Sequence, residues 1–325
     1  ENDIMTDAKV WRSLLFIPAN SWKMLNKAAT EIEDGVLIDL EDACPLAERE
    51  MGRIFARDMA PLLKARGIDV LVRVNALSTG VTGEDLHIVV TEALDGVMLP
   101  KSESGEDIQK LASLLGKEEE EKGIKKRIAI LPLIESPKGV INAYQIGTAS
   151  DRVAALGFGA GDFMRELGEG FTIAKMTPDD YFPVLLYARS AIATAACAIG
   201  IPAIDTPYFG ILIDTEGLQR EASKAKLLGF KGKMVTHPRH VEIVNHVFTP
   251  TPDDIAFSQT MVEAYKEAEM QGKGTAVLDG RMIDVAMYKM GMDMLAKAER
   301  IASKSKLRGK GESDLMWIPE YRSRV

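Results

Sequence analysis

Short apolar runs rich in Val, Ile and Leu recur along the chain, each ending in polar residues and each followed by a longer stretch at helical spacing. They are SLLFIPA (13–19), GVLIDLED (35–42), VLVRVNA (70–76), GVMLPK (96–101), RIAILPLIE (127–135), RVAALGFGAGD (152–162), IPAID (201–205) and GKMVTHP (232–238). Unbroken apolar runs suit strands buried on both faces, as in a parallel sheet. The stretches 21–32, 46–66, 104–117 and 177–200 read as helices, with Ser21 and Ser104 as N-caps and Thr-Pro-Asp-Asp as a helix start. Eight strand–helix units predict an α/β fold, a closed (β/α)8 TIM barrel over residues 1–248. The alternative is an open doubly wound sheet, but no GxGxxG follows the first strand and eight units is a high number for it. After 248 the repeat stops. Residues 249–303 read as Thr-Pro turns, a helix, a glycine-rich link, a short apolar run and another helix, a C-terminal helical lid extension. Residues 304–325 read as a polar tail, an arm or partly disordered, with Trp317 and Tyr321 as candidate docking residues.

Composition narrows the function classes. The 325 residues are 46% apolar and carry a net charge of −8, so the basic footprint of a nucleic-acid binder is absent. No apolar run approaches the roughly 18–20 residues of a membrane span. The polar, acidic first residues do not read as a signal peptide. Cys44 and Cys197 fit reduced thiols in the cytoplasm or an organelle matrix rather than a disulfide scaffold or a thiolate metal cluster.

In such a barrel the strand C-termini form the active-site face. The runs deliver Asp39, Glu41, Asp42, Arg73, Asn75, Lys101, Glu135, Asp162, Asp205 and His237 there. An acid-rich mouth with one or two cations suits a hard divalent ion such as Mg²⁺. Glu135 and Asp162 lie one strand–helix unit apart and are expected at equal heights on neighbouring strands. They are either two ligands of one ion or separate helix-cap and loop acids. Arg73, between Val72 and Val74, needs an anion. That anion is Asp39 or Glu41, or a substrate carboxylate or enolate, and these readings are compatible. Lys23 and Lys27, at i and i+4, are a solvated face or a phosphate-binding patch. The four histidines lack zinc spacing, and no GxSxG is present.

RSLLFIPANSWKMLNKA, GVLIDLEDACP, VLVRVNA, DGVMLPK, ILPLIESPKGV, ALGFGAGDF, IPAIDTPY, GFKGKMVTHPRHVEIVN and LDGRMIDVA follow one another in order. Over residues 12 to about 297 the chain thereby resembles the citrate lyase β-subunit-like family of the HpcH/HpaI aldolase superfamily, which includes malyl-CoA and citramalyl-CoA lyases. The resemblance implies a Mg²⁺-dependent lyase that cleaves a 3-hydroxyacyl-CoA thioester to acetyl-CoA or propionyl-CoA and a 2-keto acid. It implies a homotrimer or a dimer of trimers. It puts Glu135 and Asp162 at the metal, Arg73 at the substrate, Phe16, Lys23 and Lys27 at the CoA, and Ile204 and Asp205 in a substrate-contacting segment. It makes Asp284 the acid/base on a C-terminal lid that reaches a neighbouring subunit's barrel. The chain departs from the family pattern in four places: Ala19 for glycine, Phe16 for tyrosine, DLEDACP for DLEDAVP, and GAGDF for GAED. A thioesterase, a citrate lyase β subunit acting on an acyl-carrier thioester, and a non-catalytic module are the rival readings. Which acyl group is cleaved is left open.

Overall fold

The computed structural model describes residues 9–31, 34–168 and 177–310. The chain divides into two compact units between Phe248 and Thr249. Trp317 and Tyr321 lie outside the described residues.

In the first unit all eight apolar runs form parallel strands: β1 (Ser13–Pro18), β2 (Gly35–Asp39), β3 (Asp69–Arg73), β4 (Gly96–Leu99), β5 (Ala129–Ile134), β6 (Leu156–Phe158), β7 (Ala203–Asp205) and β8 (Gly232–Val235). They follow one another around a closed barrel, and β1 completes it against β8 through Ser13↔Lys233 and Leu14↔Met234. The strand alternation sorts side chains into two cores. Leu14, Leu37, Leu71, Met98, Leu131, Leu133, Ile204 and Met234 fill the interior, with Phe16 packed on them. Val36, Ile38, Val70, Val72, Val97 and Ile130 face the helices. Two residues beyond Leu37, Leu71 and Leu133 come Asp39, Arg73 and Glu135, so the alternation that builds the interior also brings these three to its mouth.

Three stretches differ from expectation. The run 152–162 contributes only Leu156–Phe158 to the barrel, because the helix Ala160–Leu167 begins almost at once. The helix expected over 177–200 breaks into Pro178–Val184 and Leu186–Ile199, bent by 60°. Pro183 lies at the break and lacks the N–H that a continuous helix needs there. The helix expected over 104–117 runs from Gly105 to Lys122, opened by a Ser104/Asp107 capping box and closed at Gly123 in the left-handed region. Among the described residues no single helix is long and apolar enough to cross a membrane.

The second unit contains the helix Pro252–Met270, a hairpin and the helix Val285–Lys310. The first helix starts on a Thr251/Asp254 capping box with Pro252 in its first turn. The short apolar run is a hairpin of β9 (Ala276–Leu278) and β10 (Arg281–Ile283). Asp279 and Gly280 both have positive φ, 49° and 74°, as a two-residue turn of the mirror-image type requires. Met261, Tyr265, Ala268, Ala276 and Ile283 form the core of this unit, and Tyr265 stacks on Tyr288 at 4.8 Å. The stretch expected to be a polar tail is helical as far as Lys310.

Candidate active site

The mouth of the barrel is organised around Arg73. Its Nε and Nη2 donate to the two oxygens of Asp39 at 2.7 and 2.6 Å, the two-pronged geometry of a guanidinium on a carboxylate. Asp39 also accepts the backbone N–H groups of Glu41 and Ala43, each at 3.0 Å. Arg73 Nη1 lies 3.0 Å from Glu41 Oε2 and 3.4 Å from Asp42, at ion-pair distance. The guanidinium stands 4.9 Å from the centre of the Phe16 ring. Burial works against the charge on Arg73. The Asp39 hydrogen bonds, with Glu41 and Asp42 nearby, overcome that and raise its pKa above the ordinary value. The expected ion pair is therefore present, and Phe16 supports the arginine from the barrel interior.

Lys101 ties this cluster to Glu135. Its Nζ donates to Glu41 Oε1 at 2.8 Å, and its backbone N–H donates to Glu135 Oε1 at 2.7 Å. The residue holds φ at +53°, a left-handed conformation that L-residues with side chains adopt at a cost. Burial raises the pKa of Glu41 in spite of Arg73 and Lys101.

Glu135 follows the last residue of β5 and is only 4% exposed. Burial first, and then the charges of Glu41 and Asp162, push its carboxyl up to about 8. Among the described residues no side-chain cation forms an ion pair with it. Its carboxylate lies over Gly159. A Cβ at Gly159 would stand 2.6 Å from Glu135 Oε2 and 2.7 Å from its Cβ, so only glycine leaves the acid this place. A buried acid facing two other acids, with donors on one side and open backbone beneath, fits a divalent cation. Among the described residues no three His, Cys, Asp or Glu side chains gather around one ion position. A carboxylate pair is the protein share that Mg²⁺ commonly takes, with water and substrate oxygens completing its shell.

Contrary to the expectation of equal heights, Asp162 is not level with Glu135. The register runs Leu133↔Gly157 and Ile134↔Phe158, so the position opposite Glu135 is Gly159. Asp162 lies three residues further, in the first turn of the helix Ala160–Leu167, and accepts from Arg165 Nε at 2.9 Å. The early helix start lifts it off the strand, while its charge still acts on Glu135.

The other expected site residues are dispersed. Lys23 and Lys27 are exposed on the helix Trp22–Glu31, which leaves the mouth end of β1. Ile204 is fully buried in the barrel interior. Asp205 does not join the mouth: alternation turns it outward from Ile204 to the helix layer. There its carboxylate, 0% exposed, accepts from Arg189 Nε at 2.9 Å and Lys233 Nζ at 2.7 Å. Asp284 belongs to the second unit, half-buried, and its Oδ1 accepts the Met287 N–H at 2.9 Å as the N-cap of the last helix.

The C-terminal mouth of this parallel eight-stranded barrel, the face on which such barrels carry their active sites, thus holds Asp39, Glu41 and Glu135 around a clamped arginine. Residues 12–238 match the model of the HpcH/HpaI aldolase/citrate lyase family, and the chain belongs to that family. It is similar to citrate lyase subunit beta of Haemophilus influenzae, 35% identical over 295 residues, which span 90% of this chain and 98% of the relative. It is similar to the mitochondrial citramalyl-CoA lyase of Homo sapiens, 29% identical over 306 residues, 90% of this chain and 87% of the relative. The crystal structure of protein CitE from Mycobacterium tuberculosis with magnesium, acetoacetate and coenzyme A superposes with a TM-score of 0.71 at 28% identity, covering 88% of this chain and 97% of that one.

Proposed function

We propose that this protein is a Mg²⁺-dependent carbon–carbon lyase that cleaves a 3-hydroxyacyl-CoA thioester of the malyl or citramalyl type into acetyl-CoA or propionyl-CoA and a 2-keto acid. The observation that carries the proposal is Glu135, a buried carboxylate with its pKa pushed up to about 8 at the mouth of the barrel. The charge of a second carboxylate, Asp162, acts on it, and relatives of the chain are named citrate lyase subunit beta and citramalyl-CoA lyase.

Glu135 and Asp162 would hold the ion. When bound, Mg²⁺ supplies Lewis-acid polarisation of a substrate oxygen and offsets the local negative charge. Arg73 binds and orients a substrate oxyanion. Asp39 locks the plane of its fork through both of its oxygens. Glu41 bridges Arg73 to Lys101, and the Lys101 backbone N–H holds Glu135 Oε1. Proton transfer at the acetyl carbon is assigned to Asp284. A homotrimer or a dimer of trimers accompanies this reading, supported by the exposed apolar Ile211, Leu212 and Ile213 of the first unit. The two free cysteines accord with the cytoplasm.

The relatives leave two thioester carriers in view. The rival reading as a citrate lyase β subunit implies an acyl-carrier thioester, and one similar protein bears that name. The exposed Lys23 and Lys27 at the mouth end of β1 favour free CoA, whose phosphates they would meet. Replacing both lysines with alanine should raise KM for the CoA thioester about tenfold, roughly 1.4 kcal/mol of lost binding, with kcat little changed. An unchanged KM favours the carrier-bound substrate.

Gly159→Ala places a methyl group where the Glu135 carboxylate lies. We expect a loss of about 1–3 kcal/mol of stability from overpacking. Mg²⁺ affinity should fall by an order of magnitude or more, as read by titration calorimetry and thermal melting. The reaction class itself is tested in reverse. Given Mg²⁺, a 2-keto acid such as glyoxylate or pyruvate, and acetyl-CoA or propionyl-CoA in turn, the protein should form a new hydroxyacyl-CoA. No new thioester with any keto acid tried would overturn the reading.

A further inference from the structure

We infer that Thr206 is a positioning residue for Asp162, acting as the cap of a helix that cannot be capped from its own sequence; this rests on the reading of Asp162 as a metal ligand. The helix Ala160–Leu167 carries Asp162 at its third residue. The residue before the helix is Gly159, which has no side chain to offer the free N–H groups of the first turn. No capping residue can be placed there, because its Cβ would collide with Glu135. One candidate ligand thus deprives the helix bearing the other of its cap.

The missing acceptor comes from the neighbouring strand. Thr206, one residue beyond β7 and 0% exposed, accepts the Ala160 N–H on its Oγ1 at 3.1 Å. The position of Thr206 is itself fixed. The preceding residue, Asp205, is gripped by Arg189 from the helix Leu186–Ile199 and by Lys233 from β8, all three 0% exposed. The outward-facing Asp205 thus anchors the end of β7, Thr206 passes that anchorage to Ala160, and Asp162 follows two residues later. A buried N–H left without an acceptor costs free energy, so the helix start would shift if the hydroxyl were removed.

The test uses the full chain and Mg²⁺ alone, followed by titration calorimetry without substrate. Thr206→Val keeps the shape and removes the acceptor; it should weaken Mg²⁺ binding about tenfold. It should also raise the Mg²⁺ concentration needed for half-maximal activity while kcat at saturating Mg²⁺ stays close to the parent's. Thr206→Ser keeps the acceptor and should bind Mg²⁺ within about twofold of the parent. Ala160→Pro removes the donor at a helix position that tolerates proline, and gives a second route should the valine variant fold poorly. It too should weaken binding, and adding Thr206→Val to it should produce no further loss. Asp162→Asn separates the two claims. If Asp162→Asn loses Mg²⁺ binding while Thr206→Val and Ala160→Pro retain it within twofold, the positioning role is overturned and the ligand reading stands. If Asp162→Asn binds Mg²⁺ as the parent does, the ligand reading fails and the positioning role falls with it.

Discussion

Glu135→Gln should abolish Mg²⁺-dependent cleavage, by about three orders of magnitude or more, while leaving the metal-free protein at least as stable as the parent above neutral pH. The amide keeps the shape and can still accept the Lys101 N–H, but it carries no charge for the ion. The stability half of the prediction follows from the raised pKa. Between the ordinary glutamate value of 4.5 and about 8, the folded protein retains a proton that the unfolded chain has released. Stability of the metal-free parent therefore falls as pH rises through that window and levels off above it. The displacement corresponds to an upper bound of about 4–5 kcal/mol. Denaturant titrations between pH 5 and 9 should show this slope in the parent and a flatter profile in Glu135→Gln. Mg²⁺ must displace the same proton, so its affinity should climb by up to about tenfold per pH unit below pH 8 and then level off. A Glu135→Gln variant that turns over normally in Mg²⁺ would remove the residue from the reaction.

Arg73→Met should be the most destabilising single change at the mouth. It leaves Asp39, 1% exposed, without its cation, and leaves Glu41, 6% exposed, with Lys101 alone. Removing one partner of a buried ion pair typically costs about 3–5 kcal/mol, because the remaining charge is left uncompensated. Activity should vanish with it. Arg73→Lys is the informative companion. It keeps the charge but cannot grip both oxygens of Asp39, and it loses the flat face that lies against Phe16. It should recover a substantial part of the stability, while cleavage stays at least about a hundredfold below the parent. Recovery of both together would mean that Arg73 serves only the fold. Denaturant unfolding and a keto-acid assay on the same preparations separate these outcomes.

The barrel was legible because each parallel strand is buried on both faces and so appears as an unbroken apolar run. The inward period of two was legible as well: Leu131, Leu133 and Glu135 share one face of a strand, as do Leu71 and Arg73. The same rule separates Ile204 from Asp205, which the family resemblance had grouped as one substrate-contacting segment. Alternation turns one into the barrel and the other out to Arg189 and Lys233. Pro183 and the Asp279-Gly280 pair were visible signals for the broken helix and the hairpin, and the longer-range helical and apolar patterns masked them. Thr206 had no local signal. Its role depends on β6 and β7 being neighbours and on Glu135 occupying the space above Gly159, a relation among three strands that no single segment contains. The left-handed Lys101 is similar, since only the position of Glu135 on the next strand gives its N–H a purpose.

The central claim is that this mouth breaks a carbon–carbon bond. The most direct measurement is a product balance on purified protein with Mg²⁺ and malyl-, methylmalyl- and citramalyl-CoA, following acyl-CoA by chromatography, keto acid by its hydrazone and free thiol by a colorimetric reagent. The account predicts that one of these thioesters gives equal amounts of a 2-keto acid and acetyl-CoA or propionyl-CoA, without free thiol. That activity should be lost in EDTA and in Glu135→Gln. Release of free CoA and an intact hydroxy acid, or cleavage that survives EDTA, would contradict it.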